Sequence, residues 1–248
     1  MIGGVFEWLF AGENWTGDQF GSSIPDRLAE HLGYSFGALV FVLLIGIPLG
    51  LYIGHTGKGG VAIAGLANAL RALPTFGLLV YVVIAFSGNL PADWAYKGPT
   101  LFVLVILGVP AVLSNTYAGV QNVDPAARDA ARGMGMTGWQ VLWRVEVPNA
   151  LPLILSGVRS AMLQIVATAT IAAYVSLGGL GRFMLDGLAQ RDYSQMAGGA
   201  VLVGLLAVVL DLLMALLQRY VVSRGITGRY ARPAAGADVV AAESKVLV

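Results

Sequence analysis

The side chains in this sequence that could do chemistry are few, and their spacing points to recognition rather than catalysis. There are no cysteines and only two histidines, His31 and His55, so thiolate metal sites, disulfides and imidazole clusters are excluded and no metal ligands are expected. No nucleophile stands beside a base, and no paired carboxylates flank the apolar runs, so the arrangements an enzyme needs are missing. The run Leu177-Gly-Gly-Leu-Gly181 is rich in glycine. It is not set between a strand and a helix in the pattern that cradles a dinucleotide, so a phosphate site is rejected there.

What remains is a recognition segment over residues 124–148, beginning Asp124-Pro-Ala-Ala-Arg-Asp-Ala-Ala-Arg-Gly-Met-Gly-Met136. Asp124 suits an N-cap and Pro125 the first helical position, which predicts a short Ala-rich helix to about Arg132 that stops near Gly133 or Gly135. Thr137 and Gln140 have the spacing of a capping box, so a second helix starts at once, with Trp139, Leu142 and Trp143 on one face. Pro148 and Pro152 predict a break before the chain turns into its next apolar run. Ala126, Ala130 and Ala131 allow close approach, and Met134 and Met136 can fill an irregular pocket. Arg128, Asp129 and Arg132 can set register by charge. Two uses fit this hairpin equally: a knob for a groove on another protein, or an interfacial turn that packs only on its own bundle.

The elements around this segment are set by composition. Of 248 residues, 57% are hydrophobic and 12% charged, with a mean hydropathy of +0.75, more than one soluble core requires. Five continuously apolar runs, at about 34–54, 61–86, 100–120, 151–175 and 196–217, each approach the roughly 20 residues a helix needs to cross a bilayer. Their continuity favours helices over a barrel. The sequence therefore predicts an all-α polytopic membrane bundle of about five transmembrane helices. Residues 1–33 form an outer interfacial N-terminal arm with Trp8 and Trp15 as anchors, 34–220 the transmembrane domain with its loop at about 121–147, and 221–248 a C-terminal tail expected to be flexible. No signal-peptide pattern opens the chain, so the first span directs insertion.

Lys58, Arg128, Arg132, Arg144 and the basic residues from Arg219 onward fall on one side of the five runs, against Arg27, Lys97, Arg182 and Arg191 on the other. The positive-inside rule then puts the N-terminus outside and the C-terminus and the 121–147 loop in the cytoplasm. A net charge of +1, with no dense basic patch before the C-terminal end, gives no footprint for nucleic acid.

Within the spans, Pro48, Pro74 and Pro110 are candidate kinks, and Gly178, Gly179 and Gly181 predict a flexible connection between the last two. Arg71, Arg159 and Asp211 are ionisable groups inside apolar runs, which calls for a partner or a cavity. Arg71 and Asp211 suit snorkelling or an ion pair near span ends, while Arg159 sits deep enough to shape a pathway. Phe76, Tyr81, Tyr174 and Tyr193 are aromatics that could line or gate a pore, or serve as core packing.

Asp129-Ala130-Ala131, Gly135 four residues on, and Leu151-Pro152 resemble the Glu-Ala-Ala loop of permease subunits of bacterial ATP-binding-cassette importers, with Asp129 in place of the usual Glu. The resemblance covers about residues 25–225. The phrases Ala69-Leu-Arg-Ala-Leu-Pro74, Ala130-Ala-Arg-Gly-Met-Gly-Met136 and Leu177-Gly-Gly-Leu-Gly181 resemble the osmoprotectant branch, whose members import glycine betaine, carnitine, choline and related solutes. The resemblance implies a type I importer permease in the bacterial cytoplasmic membrane. It implies that residues 126 and 128–136 form a coupling helix docked in a cytoplasmic ATP-binding subunit, and that ATP and Mg are bound by that partner with no cofactor in this chain. A second permease copy or paralogue and an extracytoplasmic substrate-binding protein complete the expected assembly. A permanently cationic solute would be met by aromatic faces such as Phe76, Tyr81 and Tyr174 rather than by carboxylates. The resemblance leaves permeases for amino acids, methionine or sulfonates as the main rival, ahead of a stand-alone secondary transporter, for which inverted repeats and a membrane carboxylate relay are absent.

Overall fold

A computed structural model describes residues 2–17, 23–60, 65, 69–70, 72–175 and 177–222. Among them every regular element is a helix. In chain order these are α1 (Ile2–Phe10), α2 (Gly12–Thr16), α3 (Ile24–Thr56), α4 (Thr75–Phe86), α5 (Lys97–Gln121), α6 (Pro125–Gly133), α7 (Gly138–Val141), α8 (Val147–Ala169), α9 (Gly181–Gln190) and α10 (Tyr193–Val221). Four stretches are long and apolar enough to cross a membrane: Ile24–Thr56, Lys97–Gln121, Gly138–Val175 and Tyr193–Val221. The remaining apolar run is described mainly through α4, whose 12 residues make about 18 Å of helix. Arg71 and the basic residues from Arg224 onward, with the tail, lie outside the described residues.

Local sequence sets the ends of these helices. Ser23 caps α3 by accepting from the Asp26 N–H at 3.2 Å, with Pro25 in the first turn. Pro48 and Pro110 lie inside α3 and α5. Pro74 is instead the residue before α4, not a kink within it, because a proline disfavours the helical conformation of its predecessor. The break expected at Pro148 and Pro152 does not occur. Pro148 comes just after a π turn, where the helical hydrogen-bond ladder is already shifted, and Pro152 is carried inside the helix. The chain runs from α7 through a single π turn at Leu142–Glu146 directly into α8.

The centre of the bundle is a tight triple of α3, α5 and α8. Gly46, Gly50 and Gly54, one helical turn apart on α3, face Val112, Thr116 and Val120, one turn apart on α5. A Cβ on Gly50 would lie 2.6 Å from the Thr116 Cβ, and one on Gly54 would lie 2.6 Å from the Val120 Cβ. Only hydrogen fits along this seam. In lipid, where apolar burial gives little drive for helix association, such close backbone approach supplies the van der Waals contact that holds helices together. Against α8 the same logic repeats, with Gly157 seated on Asn115 and Gly119 on Ala150. Ala38, Val42, Val112, Ala161, Met162 and Val166 fill the space between.

At the N-terminal end of α3, the connection through Gly178, Gly179 and Gly181 is packed, not flexible. The Gly179 N–H donates to Glu30 Oε2 at 2.7 Å, and Glu30 also pairs with Arg27 at 3.0 Å. A Cβ on Gly178 or Gly181 would overlap Glu30 or the Thr170 carbonyl. His31, fully buried beside them, donates from Nε2 to the Val166 carbonyl at 3.0 Å. The N-terminal arm is also docked. Trp8 stacks edge-to-face on Phe183 at 5.1 Å and occupies the notch left by Gly198, so it packs on protein, while Trp15 stays exposed.

Helix α10 buries only Gly198, Gly199 and Leu210, yet it is fixed to α8 by two polar ties. Arg159 grips Asp211 through Nε and Nη2, each at 2.5 Å from a carboxylate oxygen, and Gln218 Nε2 donates to the Pro152 carbonyl at 3.0 Å. The ties are one heptad apart on each helix, from 211 to 218 and from 159 to 152, so together they set the antiparallel register.

Two outcomes follow for purified protein in detergent. Gly50→Val is expected to lower stability by about 1–3 kcal/mol, read as a drop in Tm, whereas Gly33→Ala, which meets open space, lowers nothing. Asp211→Leu alone is expected to lower Tm more than Asp211→Leu combined with Arg159→Leu, since the single change strands a cation in lipid.

Candidate functional site

Helix α6 is built as its sequence requires. Asp124 accepts from the Ala126 N–H at 2.9 Å, and Pro125 follows in the first turn. The helix closes in a Schellman turn: the Met136 N–H reaches the Ala131 carbonyl at 3.2 Å and the Gly135 N–H the Arg132 carbonyl at 2.9 Å. Gly135 takes φ +83° to permit this. Thr137 then opens α7 with the reciprocal capping box to Gln140. Both ends of the hairpin are thus locked by side chains and turns local to it.

The hairpin divides into two faces. Ala131 is buried and Arg128 turns toward the bundle, its side chain 20% exposed. Ala126, Asp129, Ala130, Arg132, Gly133, Met134 and Gly135 are exposed, and Met136 is half-buried. Asp129 and Arg132 pair loosely on the outer face at 3.8 Å. Trp139 and Trp143 extend that face, stacked edge-to-face at 5.5 Å and open to the surroundings. Leu142 does not join them, because it turns inward at the start of the π turn and is buried.

The inward face is anchored by a carboxylate. Glu146, at the end of the π turn, is 1% exposed. His55, one residue from the C-terminal end of α3, donates from Nδ1 to Glu146 Oε2 at 2.6 Å, and Arg128 pairs through Nε with Glu146 Oε1 at 3.0 Å. Arg128 also donates from Nη2 to the Val120 carbonyl at the end of α5. One buried side chain therefore joins α3, α6 and α8, and the arginine adds α5. His55 supplies the hydrogen bond and Arg128 the opposite charge, its Nε close to the carboxylate without an aligned hydrogen bond, and together they make the buried charge tolerable. Sequence reading missed Glu146; a lone carboxylate between Val145 and Val147 at the mouth of an apolar run was the available signal.

The other residues singled out in the sequence separate into two places. Phe76 and Tyr174 meet edge-to-face at 5.0 Å, where α4 starts after Pro74 and where α8 tightens into a 3-10 turn at Thr170–Val175. Both rings are about half exposed. Tyr81 and Tyr193 are exposed and have no part in that pair. Arg159 is not free to face a pathway as a bare charge, since Asp211 neutralises it. Among the described residues no group of His, Asp and Glu could hold a metal ion.

This arrangement agrees with comparisons to known proteins. Residues 46–225 match the family described as binding-protein-dependent transport system inner membrane component. The chain is 31% identical over 84% of its length to the glycine betaine/carnitine/choline transport system permease protein OpuCB of Bacillus subtilis, covering 93% of that protein. It is 34% identical over 79% of its length to the osmoprotectant import permease protein OsmW of Salmonella typhimurium, covering 91% of it. In fold it is similar to a chain of the MetNI methionine ABC transporter in an inward-facing conformation, with a TM-score of 0.68 at 21% identity over 79% of this chain and 94% of that one. The all-α bundle is thus the type I importer permease fold, and the chain belongs to the family of inner membrane components of binding-protein-dependent transport systems.

Proposed function

We infer that this chain forms half of the membrane path of an ATP-driven importer for a compatible solute of the betaine, choline or carnitine type. The observation that carries the reading is the outer face of α6. Asp129, Ala130, Arg132 and Met134 stand exposed on a helix capped at both ends and anchored from behind. That is the form of a small rigid plug for a cleft in another protein, with small residues for close approach and paired charges for register. The partner is a cytoplasmic ATP-binding subunit that carries ATP and Mg, and this chain needs neither. Docking from inside agrees with the distribution of Lys and Arg, which puts the N-terminus outside and the C-terminus in the cytoplasm. A second permease copy or paralogue supplies the other half of the path, and an extracytoplasmic binding protein delivers the solute.

The substrate class follows from the names of the relatives and agrees with the charged and aromatic residues described within the spans. Arg159 and Asp211 cancel each other, so neither offers a net charge to a solute. The Phe76–Tyr174 pair lies where two helices are interrupted, and interrupted backbone at membrane depth is tolerated where it is covered by protein or lines a cavity. Aromatic faces there suit a quaternary ammonium head, which has no N–H to donate and cannot be deprotonated.

Two experiments test these statements. Asp129→Arg with Ala130→Arg changes only exposed positions of α6 and leaves the Gly135 turn intact; the ATPase that co-purifies with the native chain is expected to be lost at unchanged Tm. Undiminished association would refute the docking face. For the path, Tyr174→Ala and Phe76→Ala are expected to lower choline or glycine betaine uptake about two-fold to thirty-fold, the span of a cation–π contact, while Tyr174→Phe keeps it. Native vesicles that take up methionine or another amino acid but no quaternary ammonium would overturn the substrate class.

A further inference from the structure

A docking helix is useful to an importer only if force applied to it reaches the spans, and the contacts behind α6 define where that force goes. Of the three charged residues in α6, Asp129 and Arg132 pair with each other on the outer face. Arg128 alone of the three reaches the bundle. It ends on Glu146 and on the Val120 carbonyl, and Glu146 ends on His55.

We propose that Glu146 is the positioning residue of the transport cycle that makes α6 and the adjacent ends of α3, α5 and α8 move as one body. The proposal rests on the reading of α6 as the ATPase-docking helix and adds to it the path by which docking is felt. The physical reason is the burial of the carboxylate. Separating α3 or α6 from the others would leave Glu146, itself 1% exposed, with a missing partner, and moving α5 would strip Arg128 of the Val120 carbonyl, so the cluster resists pulling apart and passes displacement on. An apolar residue at 146 could fill the same volume but would leave Arg128 and His55 unlinked. The π turn that ends at Glu146 is the one such turn among the described residues, and turns of this kind mark positions where a helix has given up regularity to aim a side chain. The two faces of α6 thus divide the work: Asp129 and its neighbours meet the partner, and Arg128, on the preceding position, hands the contact to Glu146.

The test uses the full chain reconstituted in lipid vesicles with its ATPase and binding protein, measuring solute uptake and ATP hydrolysis in the same vesicles. In Glu146→Gln the ATPase is expected to remain bound, while solute taken up per ATP hydrolysed falls at least about three-fold, within the range by which coupling residues alter linked equilibria. Arg128→Lys retains a charge for Glu146 and is expected to keep most of the native ratio, whereas Arg128→Gln loses it. An assembled Glu146→Gln complex with the native ratio overturns the proposal. If that variant does not assemble, the two Arg128 variants decide: equal ratios for Lys and Gln overturn it, and a retained ratio in Lys alone supports it. A native chain that recruits no ATPase overturns the docking reading and this proposal together, a failure seen before any variant is compared.

Discussion

A carboxylate buried at the end of a helical bundle has to be matched by donors, and the match found for Glu146 organises the loop end of this molecule. Removing one partner of such a buried pair costs about 3–5 kcal/mol, a large share of the stability of any domain. The partners cannot be placed independently of the helix packing. His55 follows Gly54, the last glycine of the α3 seam, and Gly54 is seated on Val120. Val120 in turn gives its carbonyl to Arg128, which completes the pairing of Glu146. Backbone approach between α3 and α5 therefore determines where the imidazole and the carbonyl stand. The electrostatic cluster and the glycine seam are one construction, and neither would hold its geometry without the other.

Charge elsewhere in the bundle is handled by the same rule, with different consequences. Arg159 and Asp211 close on each other and, with Gln218 on the Pro152 carbonyl, keep α10 in register against α8. That leaves α10 free to present an apolar surface, including Leu205, Val208, Leu212 and Leu216, to lipid or to a second copy, since its position does not depend on burying that surface. The region near Phe76 and Tyr174 presents two aromatic rings, each about half exposed. The proposed selectivity rests on what the rings supply.

Much of the candidate site was legible in the sequence because it is local. The N-cap at Asp124, the stop at Gly135 and the capping box from Thr137 to Gln140 are each encoded within a few residues and appear as expected. The apolar runs likewise gave the membrane bundle. What was not legible depends on distant pairings. His55 and Glu146 are 91 residues apart, and Trp8 finds Phe183 and Gly198 only when the ends of the chain come together. The glycine-rich connection at 177–181 read as flexible because glycine permits freedom, but here each glycine is small so that Glu30, His31 and Thr170 can close on it. The repeat of Gly46, Gly50 and Gly54 was a visible signal of close packing, with small residues at every fourth position. Pro74 was visible too, although sequence alone did not say whether it would bend a helix or begin one.

The rigid and the interrupted parts of the molecule lie in different places, and this separation bears on how an importer of this design could work. At the loop end, four elements are bound through Glu146 and Arg128, so a displacement there cannot be absorbed locally. Further along, α8 gives way to a 3-10 turn at Thr170, and α4 begins directly after Pro74. Backbone that has already left α-helical geometry has fewer hydrogen bonds to sacrifice when its neighbours shift. A body held stiffly at one end and interrupted at the other concentrates motion at the interruption. The Phe76–Tyr174 contact occupies that position, and with Leu79, Val82, Ile171 and Val175 around it the two segments meet through ring and aliphatic packing. Apolar contacts of this kind can re-form after a shift, whereas opening the Glu146 cluster leaves a buried charge without its partner. The part of the chain whose contacts can slide without stranding a charge is therefore the part that the loop end does not have to loosen.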